Sequence, residues 1–277
     1  MGNPAFELYV GIDYSGAQTP NDSLKGLRVY TAEPASAPRE VHPPPSPRRY
    51  WTRREIAEWL RGLLAREKRA LVGIDHGFSF PMRYFVEHHV RLNWPAFLED
   101  FVLHWPTGEN YMSVDFVRDG FHGNGPARTG DARWRRLTDV RARAKSVFQF
   151  DVQGTVAKST HAGIPWLLYL RKHAARTRPI HFWPFDGWRV PQGRSVVAEV
   201  YPKLWSANYP RENRDPHQHD AYSIAAWMRQ TDADGSLEDY FDPGLSGFDR
   251  ITAGVEGWIL GVMADPSSHE IPQMLIT

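Results

Sequence analysis

Short apolar runs, each closed by a polar residue, alternate along this chain with stretches of helical periodicity. Leu8 to Ile12 and Ala70 to Ile74 are rich in Val, Ile and Leu and end in Asp13 and Asp75, a pattern that reads as buried strands. The first strand is expected over residues 6–13, a second from Leu24 to Thr31, and a third from Ala70 to Asp75. Between them, Pro34, Pro38, Pro43, Pro44, Pro45 and Pro47 exclude helix and central strand, which leaves a loop or a poor edge strand. Thr52, with Glu55 three residues on, is a capping box, and Ile56, Trp59, Leu60, Leu63 and Leu64 form the apolar stripe of a helix running to about residue 68.

Beyond Pro81 the pattern predicts helices at 82–90 and 94–104, a long Gly-, Asn- and Asp-rich loop at 106–130, and helices at 131–145 and 164–175. Ile180 to Trp183 and Ser195 to Tyr201 read as strands, the latter carrying Glu199. The last clear helix starts at Asp215-Pro216, an N-cap followed by proline at the first helical position, and runs to about Gln230. No linker divides the sequence, so residues 1–277 are expected to form a single domain with an insertion between about 82 and 180.

The two Asp-terminated strands share the tetrapeptide Val-Gly-Ile-Asp (10–13 and 72–75). A glycine inside a strand permits close backbone approach, and ligands of open α/β sheets bind beyond the carboxyl ends of strands. Side by side, the two strands would set two carboxylates at that edge, as a divalent-metal site needs. Either Asp alone also fits a turn that bonds its own backbone. On the last helix, His217, Asp220, Ile224 and Trp227 share one face, turned to the core by Ile224 and Trp227. A carboxylate there is costly to bury unless paired or metal-bound, although a helix N-terminal dipole also favours an acid in that turn. Glu199 points to the face opposite Ala198 and Val200, which is either solvent or the site.

Charge and composition narrow the classes little. Thirty-three basic residues against thirty-two acidic ones leave the chain nearly neutral, so only local patches bear on a polyanionic partner. The absence of cysteine excludes disulfides and thiolate metal sites. With no basic-then-apolar leader in residues 1–20 and no long apolar run, a cytoplasmic location without membrane contact is the expectation. His217 and His219 diverge on a helix, and no HExxH pattern accompanies them, which argues against zinc. Segment 128–145 does concentrate charge: seven basic residues stand against Asp131 and Asp139. Its Arg133, Arg135, Arg136, Arg141 and Arg143 are candidate substrate-binding residues, and Trp134 among them is a candidate for stacking on a base. A solvated helix face explains such a run equally well.

The order strand-Asp, two strand-like segments, helix, strand-Asp, insertion, strand-Glu, helix-Asp looks like the ribonuclease-H-like fold: α/β, with a mixed central sheet flanked by helices. Residues 10–17 (Val-Gly-Ile-Asp-Tyr-Ser-Gly-Ala), 73–81 (Gly-Ile-Asp-His-Gly-Phe-Ser-Phe-Pro) and 198–205 (Ala-Glu-Val-Tyr-Pro-Lys-Leu-Trp) resemble a particular uncharacterised family. So do 219–228 (His-Asp-Ala-Tyr-Ser-Ile-Ala-Ala-Trp-Met) and 256–261 (Glu-Gly-Trp-Ile-Leu-Gly). That family is one of predicted ribonuclease-H-fold nucleases, domain of unknown function 429. The resemblance implies a metal-dependent nuclease that hydrolyses DNA or RNA phosphodiesters with two Mg²⁺ or Mn²⁺ ions. It implies Asp13 as the bridging ligand and Asp75 and Asp220 as further ligands, with Glu199 a weaker catalytic candidate and His217 orienting a water or a phosphate.

Two rival functions share these residues. Sugar kinases and actin-like ATPases also end a first strand in Gly-Ile-Asp before a small-residue turn, as Gly11 to Gly16 does here, but they need a second duplicated domain for which 277 residues leave little room. A non-catalytic interaction module of the same fold has no need for three clustered aspartates.

Overall fold

The computed structural model describes residues 4–44, 49–152, 156–175 and 178–264. Pro45 and Pro47 of the proline-rich stretch lie outside these residues. Six strands form one mixed sheet: β1 (Leu8–Asp13), β2 (Arg28–Ala32), β3 (Arg39–Glu40), β4 (Ala70–Asp75), β5 (His181–Trp183) and β6 (Val196–Glu199), in the order β3-β2-β1-β4-β6-β5. The β3-β2-β1 half is antiparallel, while β4, β6 and β5 run parallel to β1. The proline-rich segment supplies only the two-residue edge strand β3, since a residue without an N–H donor is tolerated only at a sheet edge.

Nine helices among the described residues flank the sheet: α1 (Arg53–Leu64), α2 (Met82–Glu87), α3 (Trp94–His104), α4 (Val114–Arg118), α5 (Leu137–Arg141), α6 (Ala157–His173), α7 (Pro216–Asp234), α8 (Leu237–Phe241) and α9 (Gly247–Glu256). Val10, Ile12, Val72, Ile74 and Val197 face the layer built by α1, α3 and α6. On the other face, Tyr9, Leu71, Val196, Ala198 and Val200 share a core with Ile224 and Met228 of α7. The architecture is thus α/β with a six-stranded mixed sheet between helical layers. No helix among the described residues is long and apolar enough to cross a membrane.

Local signals placed several boundaries. Thr52 Oγ1 accepts from Glu55 N and the Glu55 carboxylate accepts from Thr52 N, so the capping box starts α1 where expected. At α7, Asp215 caps Gln218 N, and Pro216 occupies the first helical position. The structure departs from expectation in the insertion. α6 begins at Ala157 rather than 164 and passes through Pro165, whose missing N–H leaves the His161 carbonyl free. The Thr107 hydroxyl bonds that carbonyl, which makes the proline tolerable there. The expected loop at 106–130 contains α4 and a 3₁₀ turn at Gly125–Arg128, and α8 and α9 follow α7 without having been anticipated.

The expected helix over 131–145 is cut to the five residues of α5. Arg143 adopts a left-handed conformation (φ 52°), its N–H bonds the Val140 carbonyl, and Ala144 N–H bonds the Asp139 carbonyl. That pair of bonds is a Schellman stop, with arginine in the place glycine usually holds.

α7 is clamped along the sheet at both ends. At its C-terminal end, the Asp232 carboxylate accepts Ala5 N–H (3.0 Å), Phe6 N–H (2.9 Å) and the Tyr9 hydroxyl (2.6 Å). At its N-terminal end, Arg28 of β2 bridges Asp215 and Glu40, each at 3.0 Å.

Candidate active site

Asp13 and Asp75 are direct register partners on adjacent parallel strands. Parallel neighbours lie about 5 Å apart and matched positions face the same way, so both carboxylates leave the sheet on the α7 side. The glycines of the repeated tetrapeptide explain how the helix comes near them. A Cβ on Gly11 would run into the Ala221 carbonyl oxygen and come within 2.7 Å of Ala225 N. A Cβ on Gly73 would come within 2.8 Å of Ile224 Cγ2. α7 therefore rests its backbone on Gly11 and its Ile224 and Met228 side chains on Gly73, and Asp220, next to Ala221, is carried to the carboxyl edge.

The electrostatics record that convergence. Burial raises the pKa of Asp75 well above the usual carboxylate value, and repulsion from Asp13, Asp220 and Glu199 raises it further. Asp220 is pushed up to about 6, first by burial and then by Asp13. Asp13 is raised by burial, against the pull of His217, whose Nδ1 lies 2.7 Å from Asp13 Oδ2. His217 is itself raised, chiefly by that hydrogen bond. The carboxylates of Asp75 and Asp220 accept no hydrogen bond among the described residues. Their unmet negative charge suits a hard divalent cation.

Among the described residues, no three His, Cys, Asp or Glu side chains form a ready-made metal cage. Mg²⁺ does not require one, because it is usually held by one or two carboxylates together with substrate phosphate and water. The donor set fits Mg²⁺ or Mn²⁺ better than a site demanding four protein ligands.

Glu199 takes a different place from the one expected of a catalytic residue. It pairs with Ile74 across β4 and β6, on the face opposite Asp13 and Asp75. There it accepts two bonds from the Arg136 guanidinium (2.6 and 2.7 Å) and one from Phe78 N–H (2.9 Å). Arg136, expected to bind substrate, is only 1% exposed, and its remaining donors go to Asp139 at 2.7 Å. An isolated guanidinium cannot be buried, and these two carboxylates make its burial possible.

The other candidates in the basic segment divide. Arg141 pairs with Asp249 (3.0 Å) and lies over Trp258. Arg133 is exposed and holds Asp131. Trp134 is half-buried against Phe148 and lies beneath Arg83, so its ring is engaged within the protein rather than offered for stacking. Arg135 and Arg143 are exposed, and neither has an acidic partner among the described residues.

Asp75 and Asp220 line a cleft of about 400 Å³ whose walls also include Arg143, Lys145, Tyr201, Lys203 and Ser206. Asp13 and His217 are not part of its lining. His76, also on its wall, is buried, and desolvation lowers its pKa to about 4, so it is neutral near pH 7. Gly163 of α6 makes room for this ring, which a Cβ there would strike. Sequence reasoning passed over His76, Lys145, Tyr201 and Lys203 as site residues. For two of them a signal existed: Tyr201 and Lys203 directly follow the carboxyl end of β6, where ligands of such sheets bind.

Comparison with protein-family models, curated proteins and solved structures found no match.

Proposed function

We propose that this protein is a metal-dependent nuclease of the ribonuclease-H-like kind, hydrolysing nucleic-acid phosphodiester bonds at the edge that carries Asp13, Asp75 and Asp220. The observation that carries this reading is the in-register pair Asp13 and Asp75, with Asp220 brought over it by a helix seated on Gly11 and Gly73. An antiparallel β3-β2-β1 meander extended by parallel β4 supports the fold assignment. The lining of Arg143, Lys145 and Lys203 supports a polyanionic substrate.

Asp75 and Asp220 would hold Mg²⁺ or Mn²⁺, with Asp13 completing the set through the oxygen that His217 leaves free. Bound there, the metal supplies Lewis acidity to the phosphodiester and to the attacking water. His217 fixes the rotamer of Asp13 and offsets its charge. Neutral His76 closes the wall beside Asp75 without adding a charge.

The direct test is cleavage of labelled DNA and RNA oligonucleotides in Mg²⁺ or Mn²⁺, with EDTA as control. Wild type should cleave at least one of them, and Asp75→Asn should not. Failure of the wild type to cleave either in either metal would remove the reading.

A further inference from the structure

Most of the positive charge in the basic segment is neutralised inside the protein. Arg128 is bound to Asp100, Arg133 to Asp131, Arg136 to Asp139 and Glu199, and Arg141 to Asp249. Arg143 and Lys145, and Lys203 after β6, have no acidic partner among the described residues, and all three line the cleft that holds Asp75 and Asp220. Arg135 is also unpaired among those residues but lies outside the lining.

On the cleft wall Arg136 is paired with Asp139 and Glu199, whereas no ion pair among the described residues joins Arg143, Lys145 or Lys203 to Asp75 or Asp220. Asp13, Asp220 and Glu199 raise Asp75, while His217 and Arg211 pull Asp220 down against its burial. The cleft these residues share is thus a gap of about 400 Å³ lined by unpaired charge of both signs. An anion that bonds the cations directly, and the carboxylates through a divalent ion, fits that gap. A phosphodiester is such an anion.

The backbone holds these cations in place. The Schellman stop after α5 puts Arg143 in the left-handed region, and Ala144 is buried, so Arg143 and Lys145 flank an anchored residue. Lys203 follows Pro202, which is buried in the short turn leaving β6. About 400 Å³ lies at the small end of ligand clefts, with room for roughly one or two nucleotides and not for a base-paired segment. Tyr201, half-buried on the same wall, offers a ring to an unpaired base.

We propose that Arg143, Lys145 and Lys203 grip the backbone phosphates of a single, unpaired strand and seat one phosphodiester against Asp75 and Asp220. This rests on the nuclease reading for its chemistry but is tested by binding alone.

The experiment titrates wild type and the variant Arg143→Asn/Lys145→Gln/Lys203→Gln with a fluorescent single-stranded 12-mer and with the same sequence as duplex, in EDTA, from 50 to 200 mM salt. Asn is chosen at 143 because it tolerates the left-handed backbone, and an unchanged melting temperature shows that the variant is folded. Wild type should bind the strand more tightly than the duplex. The variant's slope of log K against log salt should be shallower by about 2, that is about 0.7 for each of three lost contacts. An unchanged slope, equal affinity for strand and duplex, or no binding by wild type would each overturn the proposal. If wild type binds the strand as expected but never cleaves it in Mg²⁺ or Mn²⁺, the cleft assignment stands and the nuclease reading falls. Cleavage by wild type with an unchanged slope in the variant gives the reverse.

Discussion

His217 Nδ1 lies 2.7 Å from Asp13 Oδ2, so the most deeply set carboxylate of the edge is already bonded while Asp75 and Asp220 are not. This divides the labour among three residues that look equivalent in sequence. Asp13 has a partner that partly offsets the cost of its burial. Asp75 has no such partner, and the carboxylates of Asp13, Asp220 and Glu199 add to the cost of its burial.

Asp75→Asn should therefore stabilise the metal-free protein, since it removes a charge that burial and three acidic neighbours all disfavour. Its melting temperature in EDTA should exceed that of wild type. In millimolar Mg²⁺ or Mn²⁺ the wild type should gain stability by mass action, and the variant should gain little. An equal metal-induced gain in both proteins would place the responsive site elsewhere. Asp13→Asn is expected to behave differently, because it also weakens the bond to His217.

The two tetrapeptide glycines should differ in their tolerance of a methyl group. At Gly11 the new Cβ meets backbone atoms of α7, which cannot yield without moving the helix. At Gly73 it meets the ends of the Ile224, Val200 and Met228 side chains, which can. Gly11→Ala should cost about 3 kcal/mol or more and abolish the metal response, while Gly73→Ala should cost nearer 1 kcal/mol. Urea titrations of both variants check the order, and equal costs would contradict the seating of α7 described above.

Arg136 should prove to be a structural residue. Arg136→Ala leaves Glu199 and Asp139 buried without their shared cation, a change expected to cost about 3–5 kcal/mol. Arg133→Ala, at a side chain that is 89% exposed, should be nearly neutral. If Arg136→Ala were as stable as wild type but bound nucleic acid with a shallower salt slope, the buried pairing would be wrong.

Acid sensitivity should come partly from the core. His161 is buried among Phe80, Phe101, Trp105, Phe148 and Phe150, and desolvation depresses its pKa to about 3. Between about pH 6.5 and 3 the unfolded chain takes up a proton there that the folded chain refuses, so stability falls as pH falls through that window. From pH 7 to 5 the loss from this one group is about 2 kcal/mol. The raised Asp220 acts with the opposite sign, gaining relative stability as pH drops, but it is present in both proteins of the comparison. His161→Phe should lose less stability than wild type over that interval, by about 2 kcal/mol in urea titrations at the two pH values. Parallel losses would mean that His161 ionises freely in the fold.

What the sequence determined by itself is what neighbours in the chain determine. The β4 boundaries, the Thr52–Glu55 capping box and the Asp215-Pro216 helix start were readable because each is set by contacts within a few residues. The repeated Gly and Asp of β1 and β4 marked both the helix seat and the carboxylate edge, since a strand's period of two assigns both to one face. Tertiary structure decided the rest. Glu199 was correctly placed on the face opposite Ala198 and Val200, yet what lies on that face is Arg136, 63 residues earlier in the chain. Arg133, Arg136 and Arg143 are alike in a charge count, but one is spent on Asp131, one is buried between two carboxylates, and one is left exposed and without an acidic partner among the described residues. Asp131 and Asp139 are near neighbours of their arginines, but the burial of Arg136 also needs Glu199, 63 residues away, and only the closed fold brings that partner in and sets Arg143 on the cleft wall.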